Sequence, residues 1–104
     1  METADITVPV LVAVTSLPGA MLWRQNTGTF LTMDGRRVVK VSADGVGDIM
    51  GAYRGHAVAI ETKTRTGKLR KTQERFRENW LKAGGVYIVA RGVDDALAAL
   101  AALQ

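Results

Sequence analysis

Two apolar segments separated by an amphipathic one constrain the fold of this chain most. Residues 55–63, GHAVAIETK, and residues 86–90, VYIVA, have the β-branched content of buried strands. Residues 67–85 between them have the pattern of a helix that ends at Gly84-Gly85. Its inward face would consist of Leu69, Gln73, Phe76, Trp80 and Ala83. Strand, helix and strand in this order predict a right-handed crossover between parallel strands.

Shorter patterns predict the remaining elements. They are a helix from Val8 to Leu17, a strand at 20–25, a hairpin that joins 29–33 to 36–42 through Asp34-Gly35, a strand at 48–55 antiparallel to 55–63, and a closing helix at 93–104. We therefore expect an α/β fold with a mixed central β-sheet flanked by helices. A chain of 104 residues predicts one domain, residues 1–104.

Composition excludes several classes of protein. The chain has no cysteine, which excludes disulfides and thiolate metal sites. The longest apolar run is interrupted by Pro9, Pro18 and Gly19, and acids precede it where a signal peptide would carry positive charge. We expect a soluble cytoplasmic protein, in a bacterial or phage-infected cell, with no membrane partner and no small-molecule cofactor.

Positive charge is concentrated in one stretch of the chain. The formal net charge is +4, and residues 63–77 contain seven Lys or Arg against a single acid, Glu74. Such a stretch is typical of a surface that binds a polyanion. A solvated helix face is the alternative interpretation.

Two carboxylates and an ammonium group occur in the most strand-like part of the sequence. Alternation along a strand places Glu61 and Lys63 on the same face. Asp48 follows a glycine-rich loop and opens the neighbouring strand, so its carboxylate can approach Glu61. Two adjacent carboxylates repel each other unless a proton or a cation lies between them, and Mg²⁺ is the natural cation for oxygen ligands. Lys63 would stabilise charge that develops on a phosphate.

Gln73 places an amide inside the apolar face of its helix. A buried amide needs hydrogen-bond partners, and the cluster of carboxylates and lysine would supply them. The alternative is that Glu61 and Lys63 form an exposed ion pair of little energetic value. The combination of acids, lysine, amide and downstream cations favours metal-assisted hydrolysis of a phosphodiester.

The ordered motifs GVGDIMG, AIETK, GKLRKTQERF and AGGVYIVARGVDDAL resemble those of the PD-(D/E)xK nuclease superfamily. The chain is most similar to the phage-type VRR-NUC domains, over about residues 20 to 98, and WRQNTGTF resembles the strand and loop ahead of their core. The resemblance implies a restriction-endonuclease-like core. It also implies an endonuclease that cuts DNA with junctions, flaps or ends, as Holliday junction resolvases do, and that acts as a homodimer.

The resemblance also implies roles for individual residues. Asp48 and Glu61 would bind Mg²⁺ or Mn²⁺ together with the backbone carbonyl of Thr62, Lys63 would be the catalytic lysine, and Gln73 would complete the site. Many relatives carry one more acid on the first helix. Here the only candidates, Glu2 and Asp5, lie before the predicted first helix or at its edge, so this acid is in doubt and one metal per site is favoured.

The DNA contacts and the function remain open between alternatives. Candidate DNA contacts are Arg24, Asn26, Arg65, Lys68, Arg70 and Lys71. Residues 24–26 can equally form an ordinary polar turn. The preferred interpretation is a metal-dependent DNA endonuclease. The alternatives are a non-catalytic nucleic-acid-binding module that retains the nuclease fold, and a nuclease that acts on RNA.

Overall fold

The structure, a computed structural model, describes residues 4–25, 28–41 and 45–103. Three helices and six strands occur in these ranges. In chain order they are α1 (Ala4–Thr15), β1 (Ala20–Arg24), β2 (Gly28–Leu31), β3 (Val38–Val41), β4 (Ile49–Tyr53), β5 (His56–Thr62), α2 (Lys71–Lys82), β6 (Val86–Ala90) and α3 (Val93–Ala101).

A four-stranded mixed sheet forms the centre of the molecule. Its strand order is β1-β4-β5-β6, in which β4 is antiparallel to both β1 and β5. Strands β5 and β6 are parallel, with Ile60 opposite Ile88, and α2 connects them. The predicted α/β class, the mixed sheet flanked by helices and the parallel pair are therefore confirmed.

The apolar core lies between one face of this sheet and the helices α1 and α3. Val58 and Ile60 of β5 are fully buried there, as is Ile49 of β4. Val10 and Val14 cover them from α1, and Ala96 and Leu100 cover them from α3, each pair being four residues apart on its helix. Because Ile60 faces this core, its neighbour Glu61 faces the opposite side of the sheet.

Helix α1 begins four residues earlier than the predicted start at Val8. Pro9 therefore lies in the second turn and not in the first, where a missing N–H has no consequence. Tertiary contacts account for the difference. The side chain of Thr7 is buried and forms a hydrogen bond with the hydroxyl of Thr62 on β5, which extends the packed face of α1 by a turn.

Helix α2 begins four residues later than the predicted start at Gly67. Leu69, which was predicted to lie on the helical face, belongs to the preceding loop. Arg91 holds that loop in a non-helical conformation, because its Nη1 donates hydrogen bonds to the carbonyl oxygens of Thr64 (2.6 Å) and Gly67 (2.7 Å). A contact between residues so far apart in sequence overrides the local helical pattern.

The second face of the sheet is only partly covered. Helix α2 packs on β6, where Phe76 stacks on Trp80 with ring centroids 5.4 Å apart. Over β1 and β4 the sheet remains open and forms an apolar groove of about 440 Å³. The groove is lined in part by Met21, Trp23 and Met50, and by Trp80 from α2. Trp23 is 48% exposed.

Strands β2 and β3 form the predicted hairpin, with Leu31 opposite Val38. The hairpin is inserted between β1 and β4. At its base the backbone N–H of Gln25 donates a 2.8 Å hydrogen bond to the carbonyl oxygen of Asp48. In the ranges that the structure describes, no helix has the length and apolar character needed to cross a membrane.

Candidate active site

The centre of the candidate site is Glu61, near the C-terminal end of β5. Its residue surface is only 4% exposed, although a carboxylate is rarely buried without compensation. Glu61 faces the first turn of α2, on the sheet face opposite the apolar core. The predicted position of Glu61 and Lys63 on a common face agrees with a distance of 3.8 Å between Nζ of Lys63 and Oε1 of Glu61.

Gln73 provides the main hydrogen bond to this carboxylate. Its Nε2 donates to Oε1 of Glu61 over 2.7 Å, and its Oε1 accepts from the backbone N–H of Arg70 over 2.8 Å. The N–H of Arg70 can only donate, so the orientation of the amide is determined by the network. Gln73 is the third residue of α2. Its side chain thus caps the N-terminus of the helix and also donates to one oxygen of Glu61.

The second oxygen of Glu61 has no such partner. Oε2 is buried and accepts no hydrogen bond from the residues that the structure describes. Lys63 lies on the side of Oε1, with only 12% of its side chain exposed. A buried carboxylate oxygen without a donor is energetically unfavourable, so this atom points to a ligand that would complete it.

Asp48 lies at the start of β4, beside Thr62. Its Oδ2 accepts hydrogen bonds from both the N–H and the hydroxyl of Thr62, each 2.8 Å long. The pairing of Ile49 with Ile60 places residues 48 and 61 next in register, so Asp48, immediately before β4, lies beside Glu61 of β5. Because Thr62 donates its only hydroxyl proton to Asp48, Thr7 is the donor in the hydrogen bond between the two threonines.

The electrostatics of Glu61 reflect this environment. Burial raises the pKa of Glu61 from 4.5 to about 8, and the negative charge of Asp48 adds to the increase. The positive charges of Lys63 and Arg70 oppose it. With this pKa the carboxyl group of Glu61 is mostly protonated near neutral pH, and a cation that displaced the proton would offset the repulsion between the two charged acids.

Tyr87 is a second buried polar group on this face of the sheet. Its hydroxyl has no hydrogen-bond partner within the described residues. Burial and the charges of Glu61 and Asp48 raise its pKa above the ordinary value. Its register position opposite Ala59 places it on the same side of the sheet as Glu61. The sequence reasoning missed Tyr87, because a tyrosine in a buried strand carries no signal of this kind.

The predicted DNA contacts occupy different positions relative to the site. Arg65, Lys68, Arg70 and Lys71 are all exposed in the loop and first residue of α2 that follow Lys63. Arg24 is exposed at the end of β1, opposite Ile49, so its register position is on the sheet face of the apolar core and not on that of Glu61. Asn26, also a predicted DNA contact, lies outside the described residues.

Two supporting residues, Thr7 and Arg91, were not predicted as part of the site, and Thr62 was predicted only through its backbone carbonyl. The hydroxyl of Thr62 donates to Asp48 and accepts from Thr7, and Arg91 binds the basic loop through the carbonyl oxygens of Thr64 and Gly67. No sequence pattern marks a threonine or an arginine for such a role. These contacts depend on tertiary structure alone.

The site contains oxygen atoms that fit a divalent cation. The described part of the chain contains no cluster of three or more His, Cys, Asp or Glu side chains. It does contain the carboxylates of Asp48 and Glu61 at neighbouring register positions, and the main-chain carbonyl of Thr62 next to Glu61 in the chain. Oε2 of Glu61 has no hydrogen-bond partner among the described residues. An all-oxygen set with one or two carboxylates fits Mg²⁺ or Mn²⁺, which retain several water ligands. Asp5 of α1 is exposed, and Glu2 lies outside the described residues.

No protein-family model matches this chain, and no curated protein sequence matches it.

Proposed function

We propose that this chain is a divalent-metal-dependent deoxyribonuclease with a restriction-endonuclease-like core of the VRR-NUC type. The observation that carries the proposal is the state of Glu61. It is buried, hydrogen-bonded through one oxygen to Gln73, within 3.8 Å of Lys63 through that same oxygen, and without a partner for the other. A cation that displaced the proton of Glu61 would satisfy such an atom beside a second carboxylate.

Each residue has a distinct role in this proposal. Glu61, Asp48 and the carbonyl of Thr62 would hold Mg²⁺ or Mn²⁺, and Gln73 keeps the carboxylate of Glu61 in one orientation. The bound cation supplies charge neutralisation at the phosphate and lowers the pKa of water. Lys63 stabilises the negative charge that increases on the phosphate oxygens. Water adds to phosphorus, the bond to the 3′ oxygen breaks, and the product carries a 5′-phosphate.

The surroundings of the site support a nucleic-acid substrate. The exposed basic loop, with Arg65, Lys68 and Arg70, follows Lys63 directly, so phosphates next to the scissile one would contact it. We propose branched or flapped DNA as the substrate, in the cytoplasm of a bacterial or phage-infected cell. Symmetric cutting of a four-way junction requires two sites related by a twofold axis, and hence a homodimer.

Cleavage of labelled DNA tests the proposal. Single strand, duplex, flap and four-way junction would each be incubated with Mg²⁺, Mn²⁺ or EDTA. Wild type, Lys63→Ala and the matched control Lys82→Ala would be compared, since Lys82 is an exposed lysine at the far end of α2. We expect metal-dependent cleavage by wild type and by the control, and its loss in Lys63→Ala.

The alternative outcomes are equally informative. If wild type binds DNA but does not cut it with either metal, the chain is a nucleic-acid-binding module. Cleavage that survives Lys63→Ala would exclude the proposed role of this lysine. A parallel set of RNA substrates would separate a deoxyribonuclease from a ribonuclease.

A further inference from the structure

The β2–β3 hairpin connects to the sheet at the same end of its strands as the candidate site. Gln25, which precedes it, is hydrogen-bonded through its N–H to the carbonyl oxygen of Asp48. Gly28 follows three residues later, so its Cα lies within about 11 Å of that of Gln25. The hairpin therefore leaves the body of the protein beside Asp48 and not at the opposite end of the sheet.

The hairpin extends away from the body. Within the part of the chain that the structure describes, its extensive contacts are those between β2 and β3 themselves. The radius of gyration is 14.4 Å, whereas a compact domain of this length has about 13 Å. The longest dimension is 47 Å against 31 and 26 Å for the other two. From Gly28 to Asp34 a strand can reach about 20 Å.

The tip of the hairpin, residues 32–37, is held in one conformation by its own hydrogen bonds. Asp34 Oδ1 accepts from the hydroxyl of Thr32 (2.6 Å) and from the backbone N–H of Arg36 (2.9 Å). The N–H of Thr32 donates to the carbonyl oxygen of Arg37 over 3.0 Å, and the N–H of Gly35 donates to the carbonyl oxygen of Thr32 over 2.8 Å. The hydrogen bonds that Asp34 accepts from Thr32 and Arg36 lower its pKa, so its carboxylate stays ionised within the turn.

The side chains of Arg36 and Arg37 take no part in this network. Both residues are exposed, and they contribute only backbone groups to the turn. Neither guanidinium forms an ion pair with any acid in the described ranges. An ordered turn thus presents two cations, which form no ion pair with the described residues, at the end of an arm that begins at the candidate site.

We propose that the hairpin tip binds the DNA phosphate backbone through Arg36 and Arg37, away from the scissile phosphate. The inference rests on the proposed function for the identity of the ligand. Arginine is suited to phosphate because its guanidinium donates two parallel hydrogen bonds. A reach of about 20 Å corresponds to about six base pairs of duplex. The tip would orient the duplex next to the cleavage site and would not participate in the chemistry.

Salt-dependent DNA binding tests this contact. Fluorescence anisotropy in EDTA would measure the Kd of a duplex of about 30 base pairs between about 50 and 200 mM sodium chloride. The test variant is Arg36→Gln with Arg37→Gln, and the conservative variant is Arg36→Lys with Arg37→Lys. The matched control is Arg54→Gln with Lys82→Gln, which removes two exposed charges at the opposite end of the sheet.

We expect the glutamine pair to reduce the slope of log K against log salt by about 1.8, or 0.9 for each lost phosphate contact. The lysine pair and the control pair should keep the wild-type slope. A wild-type slope in the glutamine pair would overturn the inference, as would an equal reduction in the control pair or an absence of DNA binding by wild type.

The binding test is independent of cleavage. A hairpin-dependent slope in a protein that cuts no DNA with Mg²⁺ or Mn²⁺ would overturn the proposed nuclease function and retain the hairpin contact. Metal-dependent cleavage by a protein whose DNA binding does not depend on Arg36 and Arg37 would overturn the hairpin contact and retain the proposed nuclease function.

Discussion

Gln73 donates a 2.7 Å hydrogen bond from Nε2 to Oε1 of Glu61 and so joins the first turn of α2 to the C-terminal end of β5. The same amide accepts the N–H of Arg70 at the start of the helix. The orientation of a buried carboxylate and the position of a helix N-terminus are therefore coupled through one side chain.

Replacement of Gln73 by alanine should affect stability and activity together. The variant loses the bond to the N–H of Arg70 and leaves Oε1 of Glu61 without its donor, which should cost about 1–2 kcal/mol in the free energy of unfolding. Loss of a residue that orients a metal ligand typically reduces metal affinity or activity by about 10–100-fold. Urea denaturation and DNA cleavage with Mg²⁺ would measure the two effects.

The control for Gln73 is Thr72→Ala, a change at the exposed preceding position of the same helix. It should alter stability by less than about 0.5 kcal/mol. Equal losses of stability and of cleavage in the two variants would mean that the amide of Gln73 neither caps α2 nor orients Glu61.

The free energy of unfolding should depend on pH through Glu61. The pKa of Glu61 is raised in the folded protein from 4.5 to about 8, so the folded state binds more protons than the unfolded state between these values. The contribution of Glu61 to stability is therefore fully present below pH 4.5 and is lost as pH rises to about 8 and beyond.

Denaturation of wild type and Glu61→Gln across this pH window would measure that contribution. The difference in stability between the two proteins should shift in favour of the variant as pH increases, because glutamine does not ionise. A difference that is independent of pH would show that the carboxylate is not buried as the structure has it.

Mg²⁺ should stabilise the protein in the absence of DNA, and more so at higher pH. A cation at Glu61 must displace the proton, so its affinity should increase as pH rises toward 8. The Tm of wild type should rise with added Mg²⁺ by mass action, and Glu61→Gln should show no such rise. Glu78→Gln, which removes an exposed carboxylate from α2, is the matched control and should respond as wild type does. An identical rise in the Glu61 variant would place the cation elsewhere.

Two glycines with similar backbone conformations should differ in their tolerance of alanine. Gly45 and Gly35 have φ of 77° and 71°, so alanine at either position should cost about 1–2 kcal/mol from the left-handed backbone alone. At Gly35 a Cβ would meet open space, whereas at Gly45 it would overlap the carbonyl oxygen of Thr72 in α2. Gly45→Ala should therefore be more destabilising, and it should reduce cleavage because the loop leads directly to Asp48. Equal losses in urea denaturation would contradict the close approach of this loop to α2.

Loss of Arg91 should loosen the basic loop. Its Nη1 donates hydrogen bonds of 2.6 and 2.7 Å to the carbonyl oxygens of Thr64 and Gly67. In Arg91→Gln the loop should exchange its amide hydrogens faster, and trypsin should cut faster after Arg65 and Lys68. Arg77→Gln, an exposed change within α2, should leave both rates unchanged. Unaltered exchange in the Arg91 variant would mean that the loop is ordered by its own sequence.

Much of the fold could be predicted because its signals are local. The alternation in HAVAIET, the turn at Asp34-Gly35 and the stop at Gly84-Gly85 each depend on neighbouring residues, and all six strands occur close to their predicted positions. The predicted starts of α1 and α2 were wrong by four residues each, because Thr7 and Arg91 make contacts with distant parts of the chain. The exposure of Trp23 could not be predicted, because no local pattern shows how far α2 extends across the sheet.

The sequence by itself determined the order of the elements, the common face of Glu61 and Lys63, and the inward position of Gln73. These follow from the periods of strand and helix, which the backbone imposes on any sequence. Only the tertiary structure decided that Gln73 binds Glu61, that Asp48 binds Thr62, and that one oxygen of Glu61 has no partner. Such contacts join residues up to 55 positions apart, as between Thr7 and Thr62, and they exist only when helices and strands pack at a particular distance and angle.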